Sequence, residues 1–157
     1  MTFSILCQLH GGCLGCCGKD FSSKERIERA LQANTAEFKI INPKVKAQLL
    51  KFRDRYHPAD LYFGVCRNII KIDGKTFCPL HPKRNNDEDL RINHCNPYYL
   101  CRTAIKFNSW KEEKKNKFLQ FIESKKLDDL DYSILIDNGK LLDEFEEKNN
   151  HISSGRP

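Results

Sequence analysis

The sequence predicts a small, mainly α-helical domain with irregular cysteine-rich loops and one short β-hairpin. Three observations support this fold class. Apolar residues recur at helical spacing in several segments, and glycines alternate with cysteines near the N-terminus, where no regular element fits. Asp73-Gly74 is a strong hairpin turn signal between two β-prone runs. We assign residues 1–148 to a single domain and expect residues 149–157 to form a flexible tail.

Two helices are predicted in the N-terminal half of the chain. The first begins after a serine cap, Ser22 or Ser23, and ends near Asn34. The second begins around Pro43 and stops before Pro58, because proline suits a first helical turn and interrupts a helix further along. The apolar residues that we expect to face the core are Ile27, Ala30, Leu31, Val45, Leu49, Leu50 and Phe52.

Residues 109–148 form a predicted C-terminal helical region. Its first part, residues 109–127, is an amphipathic helix that turns Trp110, Phe118, Phe121 and Ile122 inward and a lysine- and glutamate-rich face outward. The periodicity of the apolar segment at residues 132–137 does not decide between strand and helix. A last helix is expected after the Asn138-Gly139 break.

The N-terminus and the overall hydropathy bear on where the protein works. The apolar run at Phe3–Leu6 is too short for a signal peptide and lacks a basic flank. No apolar run approaches the 18 or so residues that span a bilayer. We therefore expect a cytoplasmic protein without a membrane partner. In a reducing cytosol, clustered cysteines more often bind metal or act in redox chemistry than form disulfides, although eight cysteines would also satisfy four bridges.

Two short cysteine pairs carry the first indication of a metal site. Cys13 and Cys16 stand at CxxC spacing, which places two sulfurs on one side of a tight turn, and Cys17 follows immediately. Cys78 and His81 form a second pair at CxxH spacing. Together the two pairs make a four-ligand set of the kind that zinc prefers.

The remaining donors exceed the needs of one site, so two sites are arithmetically feasible. They are Cys7, Cys66, Cys95, Cys101, His10 and His94. A second CxxC, typical of a zinc ribbon, is absent, and so is the closely spaced cysteine run of ferredoxins. The alternative for Cys7, Cys66 and Cys95 is that they are buried thiols that behave as small hydrophobes.

Four cysteine-bearing segments follow one another along the chain: HGGCLGCCG, VCRN, DGKTFCPLH and NPYYLCR. Their order resembles the YkgJ family of cysteine-cluster proteins, which are described as zinc or iron chelators. The resemblance covers roughly residues 10–102, the cysteine-cluster region. By position, Cys13, Cys16 and Cys17 match the opening knuckle of the family. Cys66 and Cys78 match its middle cysteines, and Cys101 with Arg102 matches its closing pair.

The chain also departs from that family pattern. His10 stands where the family has its first cysteine, the glycine of the knuckle has moved to Gly15, and Asn96-Pro97 replaces arginine-proline. Either His10 or Cys7 would then supply the missing ligand. The resemblance implies chelation and no established reaction.

These observations predict a metal-stabilised protein that chelates zinc or an iron–sulfur cluster, such as 4Fe–4S, and presents its helical surface to a protein partner. A redox or catalytic accessory role of an iron–sulfur cluster is the alternative, although no nucleotide loop or acid–base pair favours an enzyme. A zinc-dependent nucleic-acid-binding module is the third reading, prompted by the net charge of +6. We disfavour it because bound thiolates would reduce that charge and because glutamates interrupt the lysine runs.

Overall fold

The computed structural model describes residues 4–153, without the side chains of residues 151–153, and divides the chain into two compact units. The first unit combines Met1–Gly15 with Leu100–Pro157, and the second is Cys16–Tyr99. The mainly helical fold class is confirmed, because helices dominate the described residues and only short antiparallel hairpins accompany them there.

The second unit begins with helices α1 (Lys24–Phe38) and α2 (Lys46–Arg53). Ser23 caps α1 by accepting a hydrogen bond from the Arg26 N–H, as predicted. The predicted apolar face of α1 is fully buried, and the helix continues four residues beyond Asn34. In α2 the apolar stripe is narrower than expected. Leu49 and Phe52 are buried, whereas Val45 precedes the helix as its cap residue and is exposed.

Two hairpins follow, where the sequence predicted one. The predicted hairpin pairs β3 (Ile70–Ile72) with β4 (Lys75–Phe77) across Asp73-Gly74. Both turn residues have positive φ, as a type I′ turn requires. The additional hairpin pairs β1 (Leu61–Tyr62) with β2 (Val65–Cys66) across Phe63 and Gly64, which also have positive φ.

A buried core and a polar network hold the second unit together. The core consists of Phe38, Leu49, Phe52, Ile70, Leu80 and Leu90. Beside it, Glu37 accepts hydrogen bonds from Arg55 Nε and from the Tyr56 hydroxyl. Burial alone would raise the pKa of Glu37, but these hydrogen bonds outweigh burial, so the pKa lies below its usual range.

The first unit contains α3 (Arg102–Ser109), α4 (Glu112–Ser124), α5 (Asp129–Asp137) and α6 (Lys140–Ser153). Helix α3 was not predicted, and α5 resolves the undecided segment as a helix. The Asp128 side chain caps α5 by accepting from the Asp131 N–H. Because α6 reaches Ser153, residues 149–153 of the expected flexible tail are helical, and residues 154–157 lie outside the described part of the chain.

An aromatic cluster forms the core of the first unit. Phe118 is fully buried, and the rings of Phe107, Trp110, Phe121 and Phe145 lie 4.9–6.1 Å from its ring, centroid to centroid. The predicted inward face is thereby confirmed for Phe118, Phe121 and Ile122, whereas Trp110 precedes α4 and ends α3 as its cap residue. Within residues 4–153, no helix combines the length and apolar character needed to cross a membrane.

Candidate metal centre

The two units divide the cysteines into two groups. The first unit contains Cys7, Cys13 and Cys101, together with His10. The second unit contains Cys16, Cys17, Cys66, Cys78 and Cys95, together with His81. None of the eight cysteines, which all lie within the described residues 4–153, forms a disulfide. The CxxC pair of Cys13 and Cys16, which the sequence suggested as one half of a site, is therefore shared between the two units.

Cys17 lies beside Cys66 through a backbone bridge between two segments of the second unit. Gly18 pairs with Val65 in antiparallel fashion, and the Lys19 N–H donates to the Gly64 carbonyl at 2.9 Å. In this register the next facing pair is Cys17 and Cys66. A side chain at Gly18 could not be accommodated, because its Cβ would lie 2.2 Å from the Gly64 oxygen. The glycine thus permits the close approach that brings the two thiols together.

The turn after Cys66 is fixed from two sides. The Asn68 N–H donates to Cys66 Sγ at 3.5 Å, and the Ile69 N–H donates to the Cys66 carbonyl at 3.1 Å. From α1, the fully buried Asn34 side chain donates to the carbonyls of Cys66 and Ile69, at 3.0 and 2.9 Å. Asn34 and Thr35 are the polar residues on the otherwise apolar, buried face of α1, and this break in the apolar pattern is the signal for such a role in the sequence.

The hairpin β3–β4 brings Cys78 to the same region. Ile70 faces Phe77 in this hairpin, so Cys78 leaves β4 next to Ile69, at the end of the Cys66 turn. The Leu80 N–H donates to the Cys78 sulfur and favours its thiolate form. A sulfur with an amide donor two residues later is thus a feature shared by Cys66 and Cys78.

Cys95 is connected to this region by the segment that precedes it. The Leu90 N–H donates to the Leu80 carbonyl at 3.1 Å, which ties the segment to the residues after Cys78. One turn later, the Cys95 N–H donates to the Arg91 carbonyl at 3.3 Å. Four separate parts of the second unit therefore contribute thiols to one region.

The ionisation of these thiols is coupled. The pKa of Cys17 is raised well above its usual value by a hydrogen bond with Cys16, by burial, and by the charges of Cys16, Cys66 and Cys78. Burial raises the pKa of Cys78 to about 12, and the charges of Cys66 and Cys95 contribute. The pKa values of Cys66 and Cys95 are also raised, mainly by burial. The thiols therefore lie close enough for the charge of one thiolate to hinder the ionisation of its neighbours.

Two arginines that the sequence analysis did not single out act in the opposite direction. The charge of Arg91 lowers the pKa of Cys78 and Cys95, and that of Arg55 lowers the pKa of Cys66. Arg91 is held by a two-pronged ion pair with Asp89, with both nitrogen–oxygen distances at 2.8 Å. Because Arg91 and Asp89 lie on an irregular segment, no periodic pattern marks them in the sequence.

His81, the predicted partner of Cys78, uses one of its two ring nitrogens in a hydrogen bond with the local backbone. Its Nδ1 accepts a hydrogen bond from the Lys83 N–H at 3.2 Å and caps a short 3₁₀ turn. Burial and the nearby charge of Arg91 lower the pKa of His81, which favours the neutral imidazole. Its role as a ligand stays a prediction.

The three cysteines of the first unit act electrostatically on Tyr132 of α5. Cys13 and Cys101 pack against the same core as this ring. Burial raises the pKa of the Tyr132 hydroxyl, and the charges of Cys13, Cys7 and Cys101 raise it further. The His10 ring lies 4.7 Å from the Tyr132 ring, centroid to centroid.

In the described residues 4–153, no three Cys, His, Asp or Glu side chains are already arranged around a common point as metal ligands. No family model matches the chain, and the searches of curated proteins and of solved structures return no significant match. The function must therefore be argued from the chemistry of the two thiol groups.

Proposed function

We propose that the protein chelates zinc or an iron–sulfur cluster through the thiols of the second unit. The ligands in this proposal are Cys17, Cys66, Cys78 and Cys95, with Cys16 as an alternative to its neighbour. The supporting observation is that separate segments of the second unit bring these thiols to one region, where the pKa of each is raised. Several thiolates cannot gather in a half-buried region unless a cation compensates their charge, and a bound metal ion supplies that positive charge when it displaces the thiol protons.

The amide donors of this region support the same proposal. A thiol sulfur is a weak hydrogen-bond acceptor, whereas a thiolate is a charged one and gains more from an N–H donor. Cys66 and Cys78 both receive such donors from the residue two positions later. The backbone therefore stabilises the charged, metal-binding form of both sulfurs in advance.

The arginines suit a thiolate-rich centre in particular. Four thiolates around Zn²⁺ leave two uncompensated negative charges, and an iron–sulfur cluster held by four cysteines depends likewise on nearby charge and hydrogen bonds. Arg91, which is kept in place by Asp89, provides positive charge at this position. The resemblance to the YkgJ family supports chelation in the same way, and no reaction follows from either argument.

Two readings of this centre differ in consequence. A closed zinc site would stabilise the fold and leave the surface to a protein partner. An iron–sulfur cluster would make a redox or catalytic accessory role the better reading. A nucleic-acid-binding module ranks third, and an affinity for RNA or DNA that falls steeply with rising salt would support it.

Anaerobic purification, followed by an absorption spectrum and elemental analysis for zinc, iron and acid-labile sulfide, tests the proposal. We expect stoichiometric metal in the wild-type protein and loss of the second-unit metal in Cys78→Ser and Cys66→Ser. Lys75→Ala is the matched control, because this exposed residue lies in β4, the strand that Cys78 directly follows, and carries no thiol. Folded wild-type protein without zinc or iron, or unchanged metal in both serine variants, would contradict the proposal.

A further inference from the structure

The N-terminal segment of the first unit folds back so that two cysteines meet. The Cys7 carbonyl accepts hydrogen bonds from the N–H groups of Gly12 and Cys13, the latter at 3.0 Å. His10 lies inside the loop closed by these bonds, in a left-handed conformation with φ of 50°. The Gly15 N–H donates to Cys13 Sγ at 3.4 Å, which repeats the amide donation seen at Cys66 and Cys78.

Helix α5 brings the third cysteine to this loop. The Leu14 N–H donates to Ser133 Oγ at 3.2 Å, so the residue after Cys13 is fixed to α5. At the other side, Thr103 Oγ1 donates to the Ile136 carbonyl at 2.6 Å and fixes the start of α3, directly after Cys101, to the same helix. Both attachments lie within about one turn of α5, next to Tyr132.

His10 is oriented as a metal-binding imidazole would be. Its Nε2 lies 3.8 Å from a carboxylate oxygen of Glu123, which turns Nδ1 away from that carboxylate. Metal-bound histidines commonly direct their second ring nitrogen at a carboxylate in this manner. A depression of about 370 Å³, lined by Leu9, His10, Leu119, Ile122 and Glu123, opens beside the His10 imidazole.

We propose that Cys7, Cys13, Cys101 and His10 form a second zinc site, contained within the first unit. Three thiolates and one imidazole are an established structural zinc set, and all four residues belong to this unit. Binding replaces three S–H bonds by three Zn–S bonds, and the three protons pass to solvent. Closing of the four side chains around the ion completes the geometry, and the site is independent of the second-unit centre.

Thiol protection in the wild-type protein tests this site without any substitution. The protein is purified in the presence of zinc, alkylated with iodoacetamide with and without prior treatment with a chelator, and mapped by peptide mass spectrometry. Native mass spectrometry counts the ions bound to the same sample. We expect Cys7, Cys13 and Cys101 to be protected until the chelator removes one zinc.

The outcomes separate the two proposals. Rapid alkylation of the three first-unit cysteines in protein that retains metal on the second-unit thiols overturns this inference alone. Metal that protects only the first-unit cysteines supports the inference and overturns the proposed function. Folded protein that binds no metal overturns both.

Variants at His10 test the fourth ligand. His10→Ala should weaken zinc binding in the first unit at least about tenfold, since even loss of a residue that only supports a ligand costs about that much. His10→Cys should restore it, because a thiolate can replace the imidazole. The matched control is Gln8→Ala, an exposed residue in the same turn, which should bind zinc as the wild type does. Equal zinc affinity in His10→Ala and Gln8→Ala would remove His10 from the site.

Discussion

Asn34→Ala tests how α1 positions the Cys66 turn. The substitution removes the two hydrogen bonds that the Asn34 amide donates to the carbonyls of Cys66 and Ile69. The Cys66 carbonyl keeps its bond from the Ile69 N–H, so its loss is that of one ordinary hydrogen bond, about 1 kcal/mol. The Ile69 carbonyl loses a buried donor, which costs about 1–3 kcal/mol. We therefore expect the free energy of unfolding to fall by about 2–4 kcal/mol.

Urea denaturation followed by circular dichroism measures this loss, and metal titration of the same samples reports its effect on the thiol group. Gln32→Ala is the matched control, because it removes the same amide from an exposed position of α1 and should change stability by less than about 0.5 kcal/mol. If Asn34→Ala is as stable as Gln32→Ala, the two hydrogen bonds from Asn34 to the Cys66 turn do not contribute to the free energy of unfolding. If Asn34→Ala is destabilised but binds metal with unchanged affinity, these hydrogen bonds stabilise the fold and do not position Cys66.

Three further substitutions test the packing and electrostatics of the two units. Tyr132→Phe removes the hydrogen bond from the buried hydroxyl to the Leu6 carbonyl, at 2.6 Å, and should lower the free energy of unfolding by about 1–3 kcal/mol in urea denaturation. Phe118→Ala empties the centre of the aromatic cluster and should cost about 3–5 kcal/mol in the same assay, with an unchanged value arguing against that core. Glu37→Gln should be less stable than the wild type at pH 7, because the lowered pKa of Glu37 makes its carboxylate stabilising above its unfolded pKa of about 4.3. That difference should shrink as pH falls through the lowered folded-state pKa, and a difference that is independent of pH from 7 to 3 would contradict the ion pair with Arg55.

Local signals predicted the elements whose conformation is set by neighbouring residues. The serine cap of α1 and the Asp73-Gly74 turn appear where the sequence placed them, because a cap and a type I′ turn are decided within a few residues. The turn at Phe63 and Gly64 was missed since an aromatic residue rarely adopts positive φ. Here the approach of Gly18 to Gly64 supports the turn from a distant part of the chain.

Tertiary packing decided the segments that the sequence left open. The run at residues 132–137 has no single apolar face, and in the structure none of its residues is exposed: Tyr132, Ser133 and Ile136 are buried, and the others are half-buried. A helix covered on more than one side shows no amphipathic period, so periodicity could not identify it. Helix α3 is short and directly follows Cys101, and the sequence analysis assigned no element to this segment.

The division of the cysteines into two groups is the part of the site that spacing could not predict. CxxC spacing joins Cys13 to Cys16, yet Cys13 packs with Cys101, far along the chain, because both flank α5 of the first unit. Cys17 instead faces Cys66 through the bridge at Gly18, which pairs with a strand of a hairpin that local signals did not reveal. Ligand spacing reports which residues can share a turn, whereas the partition of eight thiols depends on which segments the topology returns to one place. The two-site proposal therefore rests on contacts between distant segments. It would fail if all eight thiols were protected from alkylation together and lost that protection together.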